Sequence, residues 1–318
     1  MTTLLLTHSA FLEHDTGPGH PERPDRMRAV DAALSHAMFS GLVRDEARVR
    51  EDFEDAVLRV HPRSYLDRLE RARPRDGAHV ARIDADTVMS VGSWEAAQRA
   101  VSAALDAVDA VVMRRHGEAN VKNVFCQVRP PGHHAERTTA MGFCLFSSIA
   151  IAAKYAQARH GVERVAVVDF DVHHGNGTQD AFWGEPNLMF CSTHEMPLYP
   201  GTGSISERGD HDQIVNAPLR AGDAGDTFAD AVRSRILPAL ADFSPDLILI
   251  SAGFDAHHAD PLANLRLTEA DFGWITGELL EVAEKHAAGR VVSMLEGGYD
   301  LRGLAGSAAV HVRTLMGA

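Results

Sequence analysis

Val165-Ala-Val-Val-Asp169-Phe-Asp171-Val-His173-His174-Gly-Asn176-Gly is the stretch on which the fold turns. Four apolar, mostly β-branched residues mark a strand buried on both faces, and they run directly into a polar cluster. The same grammar recurs three times. Val124-Phe-Cys-Gln-Val leads into Arg129-Pro-Pro-Gly-His133-His134, Leu247-Ile-Leu-Ile into Ser251-Ala-Gly-Phe-Asp255, and Val291-Val-Ser-Met-Leu into Glu296-Gly-Gly-Tyr299. Strands are expected at 123–128, 164–169, 188–192, 246–251 and 290–295, with a further short one at 1–7. Amphipathic or Ala-rich helices are expected at 94–115, 147–160, 227–241, 268–286 and 301–315. The last but one opens on Thr268-Glu-Ala-Asp271, a capping-box-like start. Near-continuous apolar strands separated by helices imply a parallel sheet covered on both faces, an α/β fold. In such sheets ligands bind beyond the carboxyl ends of the strands, where all four polar clusters fall.

The whole chain fits that plan. It has 318 residues, no linker rich in Pro, Gly or Ser and no internal repeat, so residues 1–318 are expected to form one domain with a sizeable core. A hydrophobic fraction of 45% and a charged fraction of 24% are those of a globular chain, which excludes disordered and fibrous classes. The formal charge of −13 disfavours nucleic acid and anionic membrane as partners. No apolar run reaches the length of a membrane span, and the N-terminus lacks the pattern of a signal peptide, so a cytoplasmic protein is expected. The three cysteines, Cys126, Cys144 and Cys191, form no C-x-x-C pair and read as buried apolar residues. Any metal site must therefore be built from His and carboxylates.

The clusters supply such a site. Asp171 and His173 are two residues apart, so an extended chain points both to one side. Asp255, from another strand end, completes an Asp-His-Asp set. Two carboxylates and one imidazole suit Zn²⁺ or Fe²⁺, and three protein ligands leave a position open, as in catalytic rather than structural centres. An isolated D-x-H is common in solvated loops; its convergence with Asp255 gives it meaning. His133 and His134 read as an acid–base pair, with Asp169 and Asn176 as partners that orient the rings. Tyr299, presented by Gly297-Gly298, is placed to stabilise an oxyanion. Gly142-Phe143 offers an aromatic wall.

Taken together, Arg129-Pro-Pro-Gly-His-His-Ala135, Gly142-Phe-Cys144, Asp169-Phe-Asp-Val-His-His-Gly-Asn-Gly-Thr-Gln179, Ser251-Ala-Gly-Phe-Asp255 and Leu295-Glu-Gly-Gly-Tyr299 resemble the zinc-dependent histone deacetylase family. Gly19-His-Pro-Glu-Arg-Pro24 matches as well, and Asp84-Ala-Asp-Thr87 more loosely. The motifs span Gly19 to Tyr299 in the family's order. Asn176, where class I enzymes have Asp, resembles the class II branch and its bacterial deacetylase-like amidohydrolases.

The resemblance implies a single-domain arginase–deacetylase fold, an eight-stranded parallel sheet with helices on both faces. It implies zinc (or iron) on Asp171, His173 and Asp255, His134 as general base and acid, an electrostatic His133 paired to Asp169, and Tyr299 polarising the acyl carbonyl. Structural potassium would be held by Asp169 and Ser192 with the backbone carbonyls of Asp171 and His173. Phe143 and Gly142 would line a tunnel for an acylated lysine or a similar acylamine, with His20, Pro21 and Leu262 also at the substrate. Tyr199, within Met196-Pro-Leu-Tyr-Pro-Gly201, takes the place of the family's second phenylalanine.

Relatives on the same fold offer other activities. Two-manganese ureohydrolases need carboxylates where this chain has Gly175 and His257, so they are disfavoured. An acetylpolyamine amidohydrolase would use an acid at the tunnel mouth. The loop after Asp255 reads Asp260-Pro261-Leu262, which favours acyl-lysine, but Glu195, Asp84 or Asp86 could reach the rim. A non-enzymatic acyl-binding protein would lack a ligand, the base or the tyrosine, and none is missing. His257 is open to two readings, a group that supports the site from behind the ligands or a solvated loop residue beside His258, and the second is preferred.

Overall fold

A computed structural model describes residues 2–76 and 80–317. Eight strands form the main sheet: β1 (Thr2–Thr7), β2 (Val43–Glu46), β3 (Val121–Cys126), β4 (Val165–Asp169), β5 (Leu188–Glu195), β6 (Ile214–Leu219), β7 (Leu247–Ala252) and β8 (Val291–Leu295). Their spatial order is β2-β1-β3-β8-β7-β4-β5-β6, and every neighbouring pair is parallel. The strands that deliver the four polar clusters, β3, β8, β7 and β4, are consecutive at the centre. Their carboxyl ends therefore open onto one shared space.

The expected strands at 164–169, 246–251 and 290–295 appear within a residue of their predicted limits, and those at 123–128 and 188–192 shift by up to three. The outer strands β2 and β6 were missed. Each has one neighbour in the sheet, and Val43–Glu46 alternates half-buried with exposed residues, so neither carries the continuous apolar run of a central strand.

Helices cover both faces, for a reason visible in two adjacent residues. Successive strand side chains point to opposite faces. On β3, Phe125 meets the ring of His311 from the helix Leu301–Leu315, 5.6 Å between centroids. Its neighbour Cys126 directs Sγ to the Ala103 carbonyl of the helix Ser93–Met113. Both cysteines on the sheet, Cys126 and Cys191, and Cys144 as well, are free and buried. The helix Glu269–His286 begins with the anticipated capping box between Thr268 and Asp271. The helix expected at 227–241 is instead Gly225–Ala231 and Leu237–Phe243, joined by a wider π turn at Val232–Ile236. Pro238 accounts for the change, since it lacks an N–H and crowds the carbonyl four residues back. The helices Asp25–Leu34 and Arg63–Ala72 were not anticipated. No helix among the described residues is long and apolar enough to cross a membrane.

His311 is fully buried, with Nδ1 2.7 Å from Thr276 Oγ1 and Nε2 2.8 Å from Ser293 Oγ. Burial pushes its pKa down to about 3. A group depressed in the folded state stabilises fully above its unfolded pKa and loses that contribution as pH falls. Chemical denaturation at pH 7 and pH 5 should therefore show a stability loss that is smaller by about 2 kcal/mol in His311→Gln, at about 1.4 kcal/mol per pH unit. An equal loss in both proteins would show that His311 does not titrate in this way.

Candidate functional site

The turn that follows β4 bends so that Asp171 and His173 face Asp255 beyond β7. His173 Nδ1 lies 3.2 Å from Asp171 Oδ1 and 3.1 Å from Asp255 Oδ2. One donor atom from each of the three lies within 4.8 Å of the others, and all three residues are buried. Peptide groups hold the carboxylates in place. Asp171 Oδ2 accepts the Gly297 N–H at 2.8 Å, and Asp255 Oδ1 accepts the Val172 N–H at 2.8 Å. This leaves Asp171 Oδ1 and Asp255 Oδ2 facing the imidazole. Burial opposes a charge on His173, but the two carboxylates overrule it and raise the pKa to about 10. The pocket thus calls for positive charge, and two oxygens with one nitrogen are the donors a divalent zinc or iron ion takes.

Gly297 is required here by closeness. A Cβ at that position would sit 2.1 Å from Asp255 Oδ2 and 2.5 Å from Asp171 Oδ2.

His133 and His134 follow β3, and both rings are buried. His133 Nδ1 donates to Asp169 Oδ2 at 2.9 Å, while Asp169 Oδ1 accepts the Asp171 N–H at 3.0 Å. Burial works against charge on His133, yet Asp169 and Asp171 hold its pKa well above the usual value. His134 is the opposite case. Burial first, and then the charges of His133 and His173, hold its pKa well below the ordinary value. Asn176 Nδ2 donates to Glu136 Oε1 at 2.8 Å, which turns Asn176 Oδ1 toward His134 Nδ1, also at 2.8 Å. His134 Nδ1 must then carry the proton, and Nε2 is left with a free lone pair. The orienting partners expected for both rings, Asp169 and Asn176, are the ones found.

Tyr299 is buried, with Arg26 5.1 Å from its ring centroid and Phe143 edge-on at 5.9 Å. Its hydroxyl has no hydrogen-bond partner among the described residues. Burial raises the phenol pKa well above 10, Arg26 opposes the shift, and Asp255 and Asp171 add to it, so the O–H remains a donor.

These groups meet at a cavity of about 230 Å³. His134, His173 and Tyr299 line it together with Gly142, Phe143, Leu198, Tyr199 and Leu262, and Asp86 supplies the carboxylate. His134 and Tyr199 are 5.2 Å apart between centroids. Among the residues expected at the substrate, Gly142, Phe143, Tyr199 and Leu262 are thus brought together. His20 and Pro21 are not. They line an adjoining cleft, because the His20 ring packs edge-on behind Phe143 at 4.8 Å. Glu195 does not reach the rim either: it is buried, and its carboxylate accepts the Asn264 N–H and side-chain amide. Asp84 Oδ1 instead accepts the N–H groups of Asp86 and Thr87 and shapes the turn that carries Asp86. His257 is buried rather than solvated, with Nε2 3.6 Å from Glu269 Oε1. Ser192 is the register partner of Asp169, and its Oγ lies 2.9 Å from His194 Nδ1.

Several supporting residues had no role read from them: Glu22, Arg129 and Glu296 stood in the quoted motifs, and Arg26 two residues beyond one. Glu296 Oε2 accepts the N–H groups of Gly132 at 2.6 Å and His133 at 3.2 Å. Arg26 donates to the carbonyls of Glu296 and Gly298. Glu22 joins Arg26 to Arg129, all three with no exposed surface. A fully buried charged side chain needs a partner, but burial of these residues is set by the fold and left no signal in the sequence.

The profile of the histone deacetylase domain matches residues 20–315. An uncharacterized protein of Synechocystis sp. is 41% identical over 314 residues, covering 98% of this chain and 99% of that protein. The histone deacetylase-like amidohydrolase of Pseudomonas aeruginosa is 37% identical over 301 residues, 93% of this chain and 77% of that one. Among solved structures, the HD domain of HDA15 superposes with a TM-score of 0.90 at 34% identity, covering 99% of this chain and 88% of that one.

Gly297→Ala should force the Asp171 and Asp255 carboxylates apart and weaken uptake of Zn²⁺ by at least about tenfold, ~1.4 kcal/mol. Competition against a chromophoric chelator measures this, and unchanged affinity would remove the triad as the binding site.

Proposed function

This chain belongs to the histone deacetylase family, whose members are hydrolases acting on amide bonds, and on that premise we propose that it is a zinc-dependent deacetylase. It removes acetyl or other short acyl groups from lysine side chains or similar amines. One observation carries this: His134, His173 and Tyr299 converge on a single cavity with apolar walls, and His173 is bonded there to Asp171 and Asp255.

Asp171, His173 and Asp255 would hold the ion, which when bound supplies Lewis acidity and an acidified water. The chain's own residues do the rest. Phe143, Tyr199 and Leu262 enclose the aliphatic part of the acylated amine and exclude water. The Tyr299 hydroxyl donates to the acyl oxygen as negative charge builds on it. His134 Nε2 accepts the proton of the attacking water and returns it to the departing amine, which leaves as free amine beside acetate. The hydrogen bond to Asn176 keeps that nitrogen in the accepting state. His133, charged against Asp169, favours the electron-rich transition state without exchanging the proton itself. A potassium ion at Asp169 and Ser192 with the carbonyls of Asp171 and His173 belongs to the same reading, favoured by the register of β4 on β5.

A second reading is hydrolysis of acetylated polyamines. Asp86 favours it, as the carboxylate on the cavity wall, since an anion there would attract a distal ammonium group. Leu262, apolar at the position after Asp260-Pro261, favours acyl-lysine.

Turnover of the zinc-loaded protein on acetyl-lysine peptides, acetylpolyamines and short acylamides, measured side by side, tests the substrate class. The peptides are expected to rank first, and a strong preference for acetylpolyamines would overturn that ranking. Tyr299→Phe should lower kcat by about 100-fold or more with zinc content unchanged; full activity would end the proposed role of the phenol. His134→Ala should be more damaging than His133→Ala, and the reverse order would exchange their roles.

A further inference from the structure

Tyr299 poses a positioning problem. Its hydroxyl has no hydrogen-bond partner among the described residues, and it follows two glycines, of which Gly298 has a φ of 121°. A phenol at the end of a pliant turn points reliably only if its backbone is held. The turn's earlier peptide groups have partners: Gly297 N–H on Asp171 Oδ2, and the carbonyls of Glu296 and Gly298 on Arg26. At Tyr299 itself the holding group is Asp260. Its Oδ2 accepts the Tyr299 N–H at 2.7 Å and the Asp300 N–H at 3.2 Å. The other oxygen, Oδ1, accepts the N–H of Leu262 at 3.0 Å. Asp260 is buried, 7% exposed, although it comes from a loop. A carboxylate is placed at such cost only where N–H donors converge on it.

One side chain thus spans two parts of the cavity that are far apart in sequence. One oxygen fixes the peptide that presents the phenol, and the other fixes the apolar wall at Leu262. Asp300 in turn caps the helix Leu301–Leu315 through Gly303 N–H at 2.7 Å, so the Oδ2 contact also sets where that helix begins.

We propose that Asp260 is a positioning residue that holds the Tyr299 phenol over the acyl carbonyl and sets the separation between that phenol and the Leu262 wall. This rests on the role of Tyr299 given above. Asp260 touches neither substrate nor any reacting atom; it acts through Tyr299 and Leu262.

A double-mutant cycle on the zinc-loaded full chain tests it, with trifluoroacetyl-lysine peptide as substrate because its activated carbonyl keeps weak variants measurable. Asp260→Ala should lower kcat by about 100-fold while KM moves by less than about twofold. In a Tyr299→Phe background the same substitution should cost less than about threefold, because the group it positions is already gone. Asp260→Asn can still turn an amide oxygen to the two N–H groups of Tyr299 and Asp300, but then sets its NH₂ against Leu262 N–H. It should recover kcat to within about fivefold of the parent chain and raise the butyryl-to-acetyl ratio of kcat/KM. Zinc content and thermal melting are recorded for each variant, and should Asp260→Ala not fold, Asp260→Asn carries the cycle through its acyl selectivity. Losses that multiply across the two sites, unchanged kcat in Asp260→Ala, or unaltered acyl selectivity in Asp260→Asn would overturn the proposal. Full activity in Tyr299→Phe would instead strike at the proposed mechanism, so the two failures are distinguishable.

Discussion

Two carboxylates, Asp171 and Asp255, both buried, approach one imidazole nitrogen to within 3.2 Å at the floor of the cavity. Burying that much negative charge is expensive unless it is met by N–H groups and by a cation. The architecture around the site consists largely of ways to meet that cost. The parallel sheet brings four adjacent strand ends together, and the turns after them supply peptide N–H groups from Val172 and Gly297. No side chain intrudes at Gly297, where even a methyl group would displace both carboxylates. What the peptide groups leave uncompensated, a bound divalent ion would neutralise.

The same logic extends outward through carboxylates that tie one loop to the next. Asp169 joins the backbone of the turn after β4 to His133, Glu296 joins the end of β8 to the histidine loop, and Asp260 joins the cavity wall at Leu262 to Tyr299. Beneath them Glu22 binds Arg26 and Arg129 in a buried ion cluster, and Arg26 reaches up to the carbonyls on either side of Gly297. Removing one partner of such a cluster leaves an uncompensated charge, at a cost of about 3–5 kcal/mol in comparable cases. The groups of the site are therefore held from below by paired charges, while His134 Nε2 and the Tyr299 hydroxyl have no hydrogen-bond partner among the described residues.

Much of this could be read from the chain itself, because the central strands announce themselves. Val165–Asp169 and Leu247–Ala252 are apolar along almost their whole length and end in the residues that build the site. The outer strands β2 and β6 and the helix Asp25–Leu34 carry weaker patterns and escaped notice. At the site, the spacing of Asp171 and His173 and the choice of Asp169 and Asn176 as partners for the two histidine rings were legible as chemistry; that His133 takes Asp169 followed only from the resemblance, and that His134 takes Asn176 is a finding of the structure. Asp260 and Glu296 were not, since a carboxylate's value as a backbone acceptor depends on which N–H groups the fold brings to it. His20, Glu195 and His257 show the converse. Each is a polar residue in or near a motif, and each is turned away from the cavity by packing or hydrogen bonds that composition does not encode. Among the described histidines, His133, His134 and His173 stand together at the candidate site, the His134 ring 4.0 Å from that of His133 and 5.9 Å from that of His173.

The central claim is that one divalent ion occupies the space bounded by Asp171, Asp255 and His173 Nδ1. Anomalous diffraction from crystals of the zinc-loaded chain, collected above and below the zinc absorption edge, tests it most directly. The account predicts a zinc peak in contact with those three side chains and with no other protein donor. A peak elsewhere with that space empty, or two metal peaks in the cavity, would contradict it.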